Sequence, residues 1–303
     1  MSALKNVEKT AGHDRPADTW EFEPLGSALH VECCGRTDTG RVRPNNEDQF
    51  VVAELAKMLR VLQTSLPEPR VQSSGRRGHL LVVADGMGGH AGGAEASRIA
   101  ARTIEECVLD SMKWFLHAQG GEGEEVAESL RAAVESADAR VRGAAIARPD
   151  LHGMGTTLTL AFQVGRELFV AHVGDTRAYL YRDGRLHRLT KDHTLLAELT
   201  RAGALPEGAH DSKRLRHVVT NAVGGTEPGV RVELVRARVE PGDRVLLCSD
   251  GLTDMLDDAA IAEVLAECAE PGAACDRLVE AANARGGRDN VTVIVATFQE
   301  VAA

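Results

Sequence analysis

Four aspartates stand beside short apolar runs that are typical of buried strands. Because the core fixes the end of such a strand, a carboxylate placed there has little freedom, and carboxylates from neighbouring strands would converge. Converging carboxylates repel one another unless they hold protons or a cation lies between them. Hard divalent cations such as Mg²⁺ and Mn²⁺ prefer such oxygen ligands. The aspartates are Asp85, Asp175, Asp250 and Asp289, beside runs 80–84, 169–174, 245–249 and 291–295.

These aspartates also have a simpler explanation, because an Asp-Gly pair after a strand is a common turn. Asp85 and Asp250 are each followed by a glycine, Gly86 and Gly251. Gly86 would let the backbone turn tightly and could present its carbonyl as a further ligand. Four strand-edge aspartates are more than turns require, but spacing alone leaves the turn and the cation site as alternatives.

The intervening chain alternates between short apolar runs, which predict strands, and Ala-rich stretches with apolar residues three or four apart, which predict helices. Asp183-Gly184 between two such runs is a two-residue hairpin signal. The strands predicted at Glu167–Val173 and Arg177–Tyr181 leave no room for a crossover helix. We therefore expect mostly antiparallel strands and helices in blocks, an α+β layered domain rather than a doubly wound parallel sheet.

The predicted elements cover most of the chain after residue 78. The predicted strands are His79–Ala84, Thr157–Phe162, Glu167–Val173, Arg177–Tyr181, Val230–Arg236, Arg244–Cys248 and Val291–Thr297. The predicted helices are Ala94–Trp114, Val126–Ala147, Asp192–Ala202, Asp258–Ala266 and Ala273–Asn283. Exposed loops are predicted at Thr64–Gly78, Ala118–Glu125 and Leu205–Lys213.

Composition excludes several classes of protein. Of the 303 residues, 43% are hydrophobic and 26% charged, as in an ordinary globular protein. The net charge of −10 would repel nucleic acid and anionic lipid, so we expect neither nucleic acid nor a membrane as a partner. The six cysteines show no CxxC pair, which favours a reducing compartment. Without a signal-peptide pattern or a long apolar run, the sequence predicts a cytoplasmic protein.

Further motifs surround the aspartates in a fixed order. They are Arg43-Pro44-Asn45-Asn46-Glu47-Asp48, Asp85-Gly86-Met87-Gly88-Gly89-His90, Gly153-Met154-Gly155-Thr156-Thr157 with Val173-Gly174-Asp175-Thr176-Arg177, and Ser249-Asp250-Gly251 with Arg288-Asp289-Asn290. Each motif is short, but the ordered set spans residues 31–297 and resembles the protein phosphatase 2C family of metal-dependent Ser/Thr phosphatases, in its bacterial single-domain form.

The resemblance implies a fold, a four-layer αββα sandwich in which helices flank two packed antiparallel β-sheets. Residues 27–300 would form this catalytic domain, and residues 1–26 a polar N-terminal tail. It also implies two cations, Mn²⁺ or Mg²⁺, in a core site, with a third in a weaker site. Asp85 would bridge the core ions, and the Gly86 carbonyl would bind one of them. Asp250 and Asp289 would hold the first ion, and Glu47 the second through water.

Three further residues receive roles from the resemblance. Asp48 would accept hydrogen bonds from metal-bound waters, Asp175 would form the third site together with Asp250, and Arg43 would bind the substrate phosphate. A planar guanidinium suits that task because it can hold two phosphate oxygens at once.

The implied activity is hydrolysis of phosphoserine and phosphothreonine in proteins, by in-line attack of a water that bridges two divalent cations. The implied partners are phosphorylated proteins, among them a Ser/Thr protein kinase and its substrates. We expect a monomer.

The chain departs from the family pattern at two positions. Many eukaryotic members have a histidine after the Asp-Gly pair, proposed as a general acid, where this chain has Met87. His90 lies three residues further on, and a direct catalytic role is one interpretation of it, but a hydrogen-bonded loop histidine is the simpler one. Asn221 stands where an arginine would be unsurprising, and we assign it no role. The remaining histidines fit no zinc-binding spacing, and we expect structural or surface roles for His152, His172, His193 and His217.

Two other functions compete with the phosphatase. Gly86-x-Gly88-x-x-Ala91 matches a dinucleotide-binding fingerprint, but Asp85 would then face a pyrophosphate, and no acidic residue follows at a second strand end. The other alternative is a catalytically weak phosphoprotein-binding scaffold of the same fold. Such a scaffold would have lost a metal ligand, whereas every ligand position that can be matched here is filled.

The segment Asp192–Thr220 resembles the flap that borders the active site in this family. It contains Gly203, Pro206 and Gly208 together with several basic residues. We predict a substrate-facing element here, with a solvated surface loop as the alternative.

Overall fold

The computed structural model describes residues 8–9, 29–60, 71–88, 92–110, 123–205, 213–226 and 229–300. Two antiparallel sheets lie face to face, and helices cover the outer face of each. The α+β class and the four-layer αββα sandwich are therefore confirmed. Of the predicted tail, Glu8–Lys9 pairs with a strand of the larger sheet, and the rest of residues 1–26 lies outside the described residues.

The larger sheet holds eight strands within the described residues. Numbered in chain order with those of the other sheet, they are β1 (Glu8–Lys9), β3 (Asp48–Arg60), β4 (Val71–Met87), β5 (Gly155–Thr156), β6 (Leu158–Val164), β7 (Glu167–Val173), β10 (Val223–Gly224) and β11 (Glu233–Arg238). The hydrogen-bonded order is β1-β11-β7-β6-β4-β5-β10, and β3 also pairs with β4.

The smaller sheet has the order β2-β13-β12-β8-β9 in the same described ranges. Its strands are β2 (Leu29–Asp38), β8 (Arg177–Arg182), β9 (Arg185–Arg188), β12 (Arg244–Cys248) and β13 (Val291–Glu300). The predicted hairpin joins β8 to β9, with positive φ angles of 52° at Asp183 and 74° at Gly184, as a tight turn between twisted strands requires.

Helices cover both outer faces. α1 (Gly92–Asp110) and α2 (Gly123–Ala147) pack on the larger sheet, and α5 (Asp250–Thr253), α6 (Asp258–Glu267) and α7 (Pro271–Ala284) on the smaller one. The flap-like segment between β9 and β10 contains α3 (Leu195–Arg201) and α4 (Lys213–Arg216). Among the described residues, no helix combines the length and apolar character needed to span a membrane.

Three apolar layers hold the sandwich together, and the central strands contribute to two of them. In β4, Leu80 and Val82 pack against α1 and α2, whereas Leu81 and Val83 point between the sheets. In β12, Leu247 points between the sheets, and its neighbours pack against α6 and α7. Because both faces of these strands are buried, their sequences are continuously apolar rather than alternating. This explains why the runs before Asp85 and Asp250 were recognisable.

Several boundaries differ from the predictions. The strands β2 and β3 were not predicted, and the loop predicted at Thr64–Gly78 is wrong over residues 71–78, where β4 has already begun. This polar part of β4 pairs with β3 around a register shift between Ala56 and Met58, so backbone pairing extends the strand beyond the apolar run. Lys213 and residues 123–125, also predicted as loop, begin helices. Residues 64–70, 118–122 and 206–212 lie outside the described residues.

The layer between the sheets should dominate stability. Leu247 is fully buried there, so Leu247→Ala should lower the free energy of unfolding by about 2–5 kcal/mol through lost burial and a residual cavity. Ile146→Ala is the control, since Ile146 is 84% exposed and its truncation should change stability by no more than about 0.5 kcal/mol. Urea unfolding in EDTA measures both variants; equal losses would contradict the assignment of this layer.

Candidate metal centre

The acidic strand ends meet at one end of the sandwich. The carboxyl ends of β4, β7 and β12 lie there together with the amino ends of β3 and β13, because β3 runs antiparallel to β4 and β13 antiparallel to β12. They surround a cavity of about 730 Å³. The predicted site residues that line it are Arg43, Glu47, Asp85, Gly86, Asp175, Asp250 and Asp289.

Asp85 is placed by its backbone. It lies two residues before the end of β4 rather than beyond it, and its N–H donates to Thr157 Oγ1 at 3.1 Å. Its carbonyl accepts from Thr156 Oγ1 at 2.8 Å and from the Thr157 N–H at 2.9 Å. The carboxylate is therefore held without any of these bonds using its oxygens. The paired threonines were recognised as a motif, but this anchoring role was not predicted.

Two glycines permit close packing at the floor of the cavity. A Cβ at Gly86 would overlap the carbonyl of Gly93 at the start of α1, and a Cβ at Gly251 would overlap the carbonyl of Asn290. The glycines after Asp85 and Asp250 are therefore required by close approach. Both aspartates can consequently sit against the neighbouring chain segments.

Asp48 lies behind the cavity, opposite Asp85 on the paired strands β3 and β4. It is 2% exposed, and its Oδ2 accepts a hydrogen bond from Ser249 Oγ at 2.8 Å. Burial raises the pKa of Asp48 from its ordinary 3.8 to about 7. Its Oδ1 is buried without a partner among the described residues, so it remains available to a water or another donor.

Asn290 joins the two chain segments that carry Glu47 and Asp289. Its Nδ2 donates to the carbonyls of Thr39 at 3.0 Å and Asn45 at 2.9 Å, and its Oδ1 accepts from the Glu47 N–H at 2.8 Å. Asn290 is the last residue of a motif that the sequence analysis recognised, but its bridging role was not predicted. One buried amide thus fixes the loop before β3 against the start of β13.

Burial and neighbouring negative charges make ionisation of two of these carboxylates, Asp85 and Asp175, unfavourable. Burial and the charge of neighbouring aspartates raise the pKa of Asp85 well above its ordinary range, and the same two causes raise that of Asp175 to about 8. Asp250 Oδ1 is buried without a partner among the described residues. A site for divalent cations has two such properties in the protein without metal: buried oxygens that lack hydrogen-bond partners, and carboxylates with raised pKa values. The residues therefore fit hard cations.

Arginines stand around this acidic centre. Arg43 Nη2 donates to Asp289 Oδ2 at 2.6 Å, and about half of its side chain remains exposed. Arg216 and Arg288 also line the cavity and form no ion pair with a described carboxylate. The cavity thus offers positive charge at its edge and negative charge at its floor, an arrangement that suits an anion bound over cations.

The other singled-out positions have different surroundings. Met87 lines the cavity in place of a histidine, and His90 lies outside the described residues. Asn221 forms a backbone clamp, accepting from the Arg231 N–H at 3.0 Å and donating to the Arg231 carbonyl at 2.8 Å. His217 lines the cavity, which the sequence did not indicate.

Comparison with known proteins agrees with this geometry. A family model described as protein phosphatase 2C matches residues 70–283. A serine/threonine protein phosphatase (PstP) of Mycobacterium tuberculosis is 37% identical over 269 residues, which cover 88% of this chain and 45% of the relative. The chain thus spans about half the length of this relative. A serine/threonine phosphatase (stp) of Listeria monocytogenes is 32% identical over 88% of this chain and 95% of its own length.

Solved structures give the same picture. The catalytic domain of PstP in complex with two manganese ions has a TM-score of 0.68 at 35% identity, covering 89% of this chain and 99% of that one. A serine/threonine phosphatase of S. agalactiae has a TM-score of 0.70 at 30% identity, covering 88% and 99%.

The charge of the cavity should make cation binding depend on pH. Because Asp48 and Asp175 have raised pKa values, the folded protein retains protons that the unfolded chain releases above 3.8. Without metal, this contribution to stability is fully present at low pH and is lost as pH rises toward about 8. Divalent cations bind the deprotonated carboxylates, so the rise in Tm on adding Mg²⁺ should be larger at pH 8 than at pH 6.

Calorimetric scans with Mg²⁺ and with EDTA at both pH values measure this difference. Asp175→Asn should reduce the pH dependence, whereas Asp276→Asn, at an exposed ion pair with Arg36, should leave it unchanged. A metal-induced shift that is the same at both pH values would contradict this account of the carboxylates.

Proposed function

The chain belongs to the protein phosphatase 2C family, and we propose that it hydrolyses phosphoserine and phosphothreonine in proteins with the help of Mn²⁺ or Mg²⁺. The observation that carries the proposal is the convergence of Asp85, Asp250 and Asp289, from both sheets, on one cavity that also contains Arg43. The relatives named above are called serine/threonine phosphatases, which supports the same activity here.

The metal ligands would be carboxylate and carbonyl oxygens of residues that line the cavity. Asp85, Asp250 and Asp289 would hold two core cations with the Gly86 carbonyl, and Glu47 would act through water. Asp175 and Asp250 would hold a third. Cations bound there would acidify a water and offset charge on the phosphoryl group. The contribution of the protein is rigidity, because hydrogen bonds to the Asp85 backbone and the buried Asn290 fix the two segments before any ion binds.

Arg43 would bind the phosphate. A guanidinium has five N–H donors, so its bond to Asp289 leaves others for phosphate oxygens. The same bond holds the side chain at the edge of the cavity. Substrate phosphate would therefore meet a preorganised donor with a permanent positive charge.

Asp48 and Met87 constrain the proton transfers. The unpartnered Oδ1 of Asp48 can accept a hydrogen bond from a water in the centre. Met87 has no exchangeable proton, so the leaving oxygen must be protonated by water or by another group. We assign no histidine to that step.

The scaffold alternative is less consistent with these residues. A domain that only binds phosphoproteins has no need of four aspartates at the cavity, and each ligand position is filled. The dinucleotide alternative fails on charge, because a pyrophosphate beside Gly86 would meet several carboxylates.

We also propose the partners, the location, the oligomeric state and the domain bounds of the protein. Phosphorylated proteins, including a Ser/Thr protein kinase and its substrates, would be the partners, and the protein would act as a cytoplasmic monomer. The domain would comprise residues 27–300. Support for protein substrates comes from the names of the relatives and from a cavity bordered by Arg43, Arg216 and Arg288, the last two without an ion pair among the described residues.

Activity should depend on metal and on Asp250. The protein with Mn²⁺ should hydrolyse p-nitrophenyl phosphate and a phosphothreonine peptide, and EDTA should abolish both reactions. Asp250→Asn should lower kcat by about 100-fold or more, because a metal ligand supplies several kcal/mol of transition-state stabilisation. Asp276→Asn should match the wild type. Turnover that resists EDTA, or an unchanged rate in Asp250→Asn, would sink the proposal.

Arg43 should contribute to phosphate binding. Arg43→Ala should lower kcat/KM by about 10–100-fold, since a charge-assisted hydrogen bond contributes about 1.5–3 kcal/mol. Arg43→Lys should recover only part of the loss, because an ammonium lacks the planar fork. Steady-state kinetics with both substrates measure these effects; an equal rate in wild type and Arg43→Ala would remove Arg43 from the site.

A further inference from the structure

We propose that Arg216 and Arg288 form an arginine border outside the metal centre, which selects phosphorylated protein segments that carry acidic side chains next to the phosphorylated residue. The proposal rests on the proposed function and names the class of substrate for that same site. Arg43 would bind the phosphate itself, whereas the arginine border would bind the residues that flank it.

Both arginines of the border lack a carboxylate partner. Arg216 and Arg288 line the cavity, are exposed, and form no ion pair with a described carboxylate. The chain has 45 acidic and only 35 basic residues, so carboxylates are abundant, and exposed arginines on the helices commonly bind one. Such pairs are Arg98–Glu95, Arg102–Glu106 and Arg277–Glu267. The two guanidinium groups at the cavity therefore remain available to an anionic ligand.

Arg288 stands beside the arginine that would bind the phosphate. It directly precedes Asp289, whose Oδ2 accepts from Arg43 Nη2 at 2.6 Å. The backbone holds the two segments together, since the Arg41 N–H donates to the Gly287 carbonyl at 2.7 Å. A Cβ at Gly287 would meet Arg41 Cγ at 2.9 Å, so glycine permits this close approach. Arg288 therefore starts from a fixed point next to Arg43, where it can meet an anion on the same peptide as the phosphate.

Arg216 comes from a different part of the chain, the flap-like segment. It is the last residue of α4 and precedes His217, whose Nδ1 lies 3.7 Å from Asp250 Oδ2. The segment is tied back upon itself just after this point, where Leu195 donates to the Val218 carbonyl at 2.9 Å. A peptide bound over the metal centre would therefore meet guanidinium groups from two separate segments.

Bound cations would change the charge that a peptide meets at the cavity. Without metal, Asp85, Asp250 and Asp289 would repel an acidic peptide. Divalent cations on these ligands would offset that repulsion, so the exposed guanidinium groups would determine the charge at the border. The net charge of −10 counts for less there, because salt screens exposed charges beyond about 8 Å at physiological ionic strength. The loaded protein would therefore attract acidic peptides.

The cavity has room for residues that flank the phosphorylated one. Its volume of about 730 Å³ is in the range of pockets that hold a drug-sized ligand, and a phosphoryl group would fill only a small part of it. Val42 and Val218 are 66% and 46% exposed and adjoin Arg43 and His217 in the sequence. They would offer apolar contact to the stems of flanking side chains. The occupant that fits this surface is an extended acidic phosphopeptide.

Binding of hydrolysis-resistant peptides tests the proposal. Three fluorescent peptides of equal length carry a phosphonate analogue of phosphothreonine, flanked on both sides by Asp, by Gln or by Lys. In anisotropy titrations with Mn²⁺, the wild type should bind the Asp peptide about 10-fold more tightly than the Gln peptide, and the Lys peptide most weakly. Arg216→Gln and Arg288→Gln should each reduce the preference for Asp over Gln by about 3-fold, and the double variant should abolish it.

Arg185→Gln is the control with the same change of charge. Arg185 is exposed at the hairpin between β8 and β9, at the other end of β8 from Asp175. This variant should retain the full preference for the Asp peptide. Higher ionic strength should reduce the preference of the wild type, because the pairs that cause it are exposed to solvent.

Two results would overturn the proposal. One is equal affinity of the wild type for the Asp and Gln peptides, and the other is a preference that persists in the double variant. Hydrolysis of p-nitrophenyl phosphate by the wild type separates this proposal from the function. A preference that depends on both arginines, without turnover, supports the arginine border and not the phosphatase. Turnover without any preference supports the phosphatase and not the border.

Discussion

Mutual repulsion among buried carboxylates is the constraint on which the rest of this structure depends. Asp48, Asp85, Asp175 and Asp250 converge where two sheets meet, and burial makes a charge on Asp48, Asp85 or Asp175 costly. Hydrophobic layers on both faces of the central strands keep those strands from separating. The packed core of the sandwich thus holds together carboxylates that would otherwise move apart. Bound cations would reduce the repulsion between them.

The supports around the centre are mostly neutral. Hydroxyls of Thr156 and Thr157, the Asn290 amide and the Ser249 hydroxyl fix the backbone or one carboxylate oxygen. Basic side chains reach the centre at its border, where Arg43 contacts Asp289 and His217 contacts Asp250. If arginines filled the interior, they would compensate the carboxylates and leave no ligand for a metal. Confining them to the edge preserves an acidic floor for cations and a basic border for an anion. The separation of the two charges is therefore a property of the scaffold as much as of the residues that would do chemistry.

Much of this arrangement could be predicted from the sequence, because strands buried on both faces are continuously apolar and their terminal aspartates stand out. The family that the ordered motifs resemble predicted how those strands are arranged in two sheets. Hydrophobic periodicity alone does not predict which strands lie together. The strand β3 escaped prediction because it pairs with β4 beside the main order of the sheet and most of its described side chains are only partly buried, so burial imposes no long apolar run on it. His217 escaped for a different reason: its significance comes from contact with Asp250, 33 positions later, and the fold alone creates that proximity.

The pairing of β2 with β13 has a consequence for how the protein folds during its synthesis. β2 lies near the start of the described chain and bonds along its full length to a strand that ends at Glu300. The loop that carries Glu47 is fastened by Asn290, just before that same strand. During synthesis, therefore, the loop that carries Glu47 can be fixed in place only after β13 has been made. Such non-local closure is intrinsically slow, so the newborn polypeptide passes through a period with exposed sheet edges and no assembled centre.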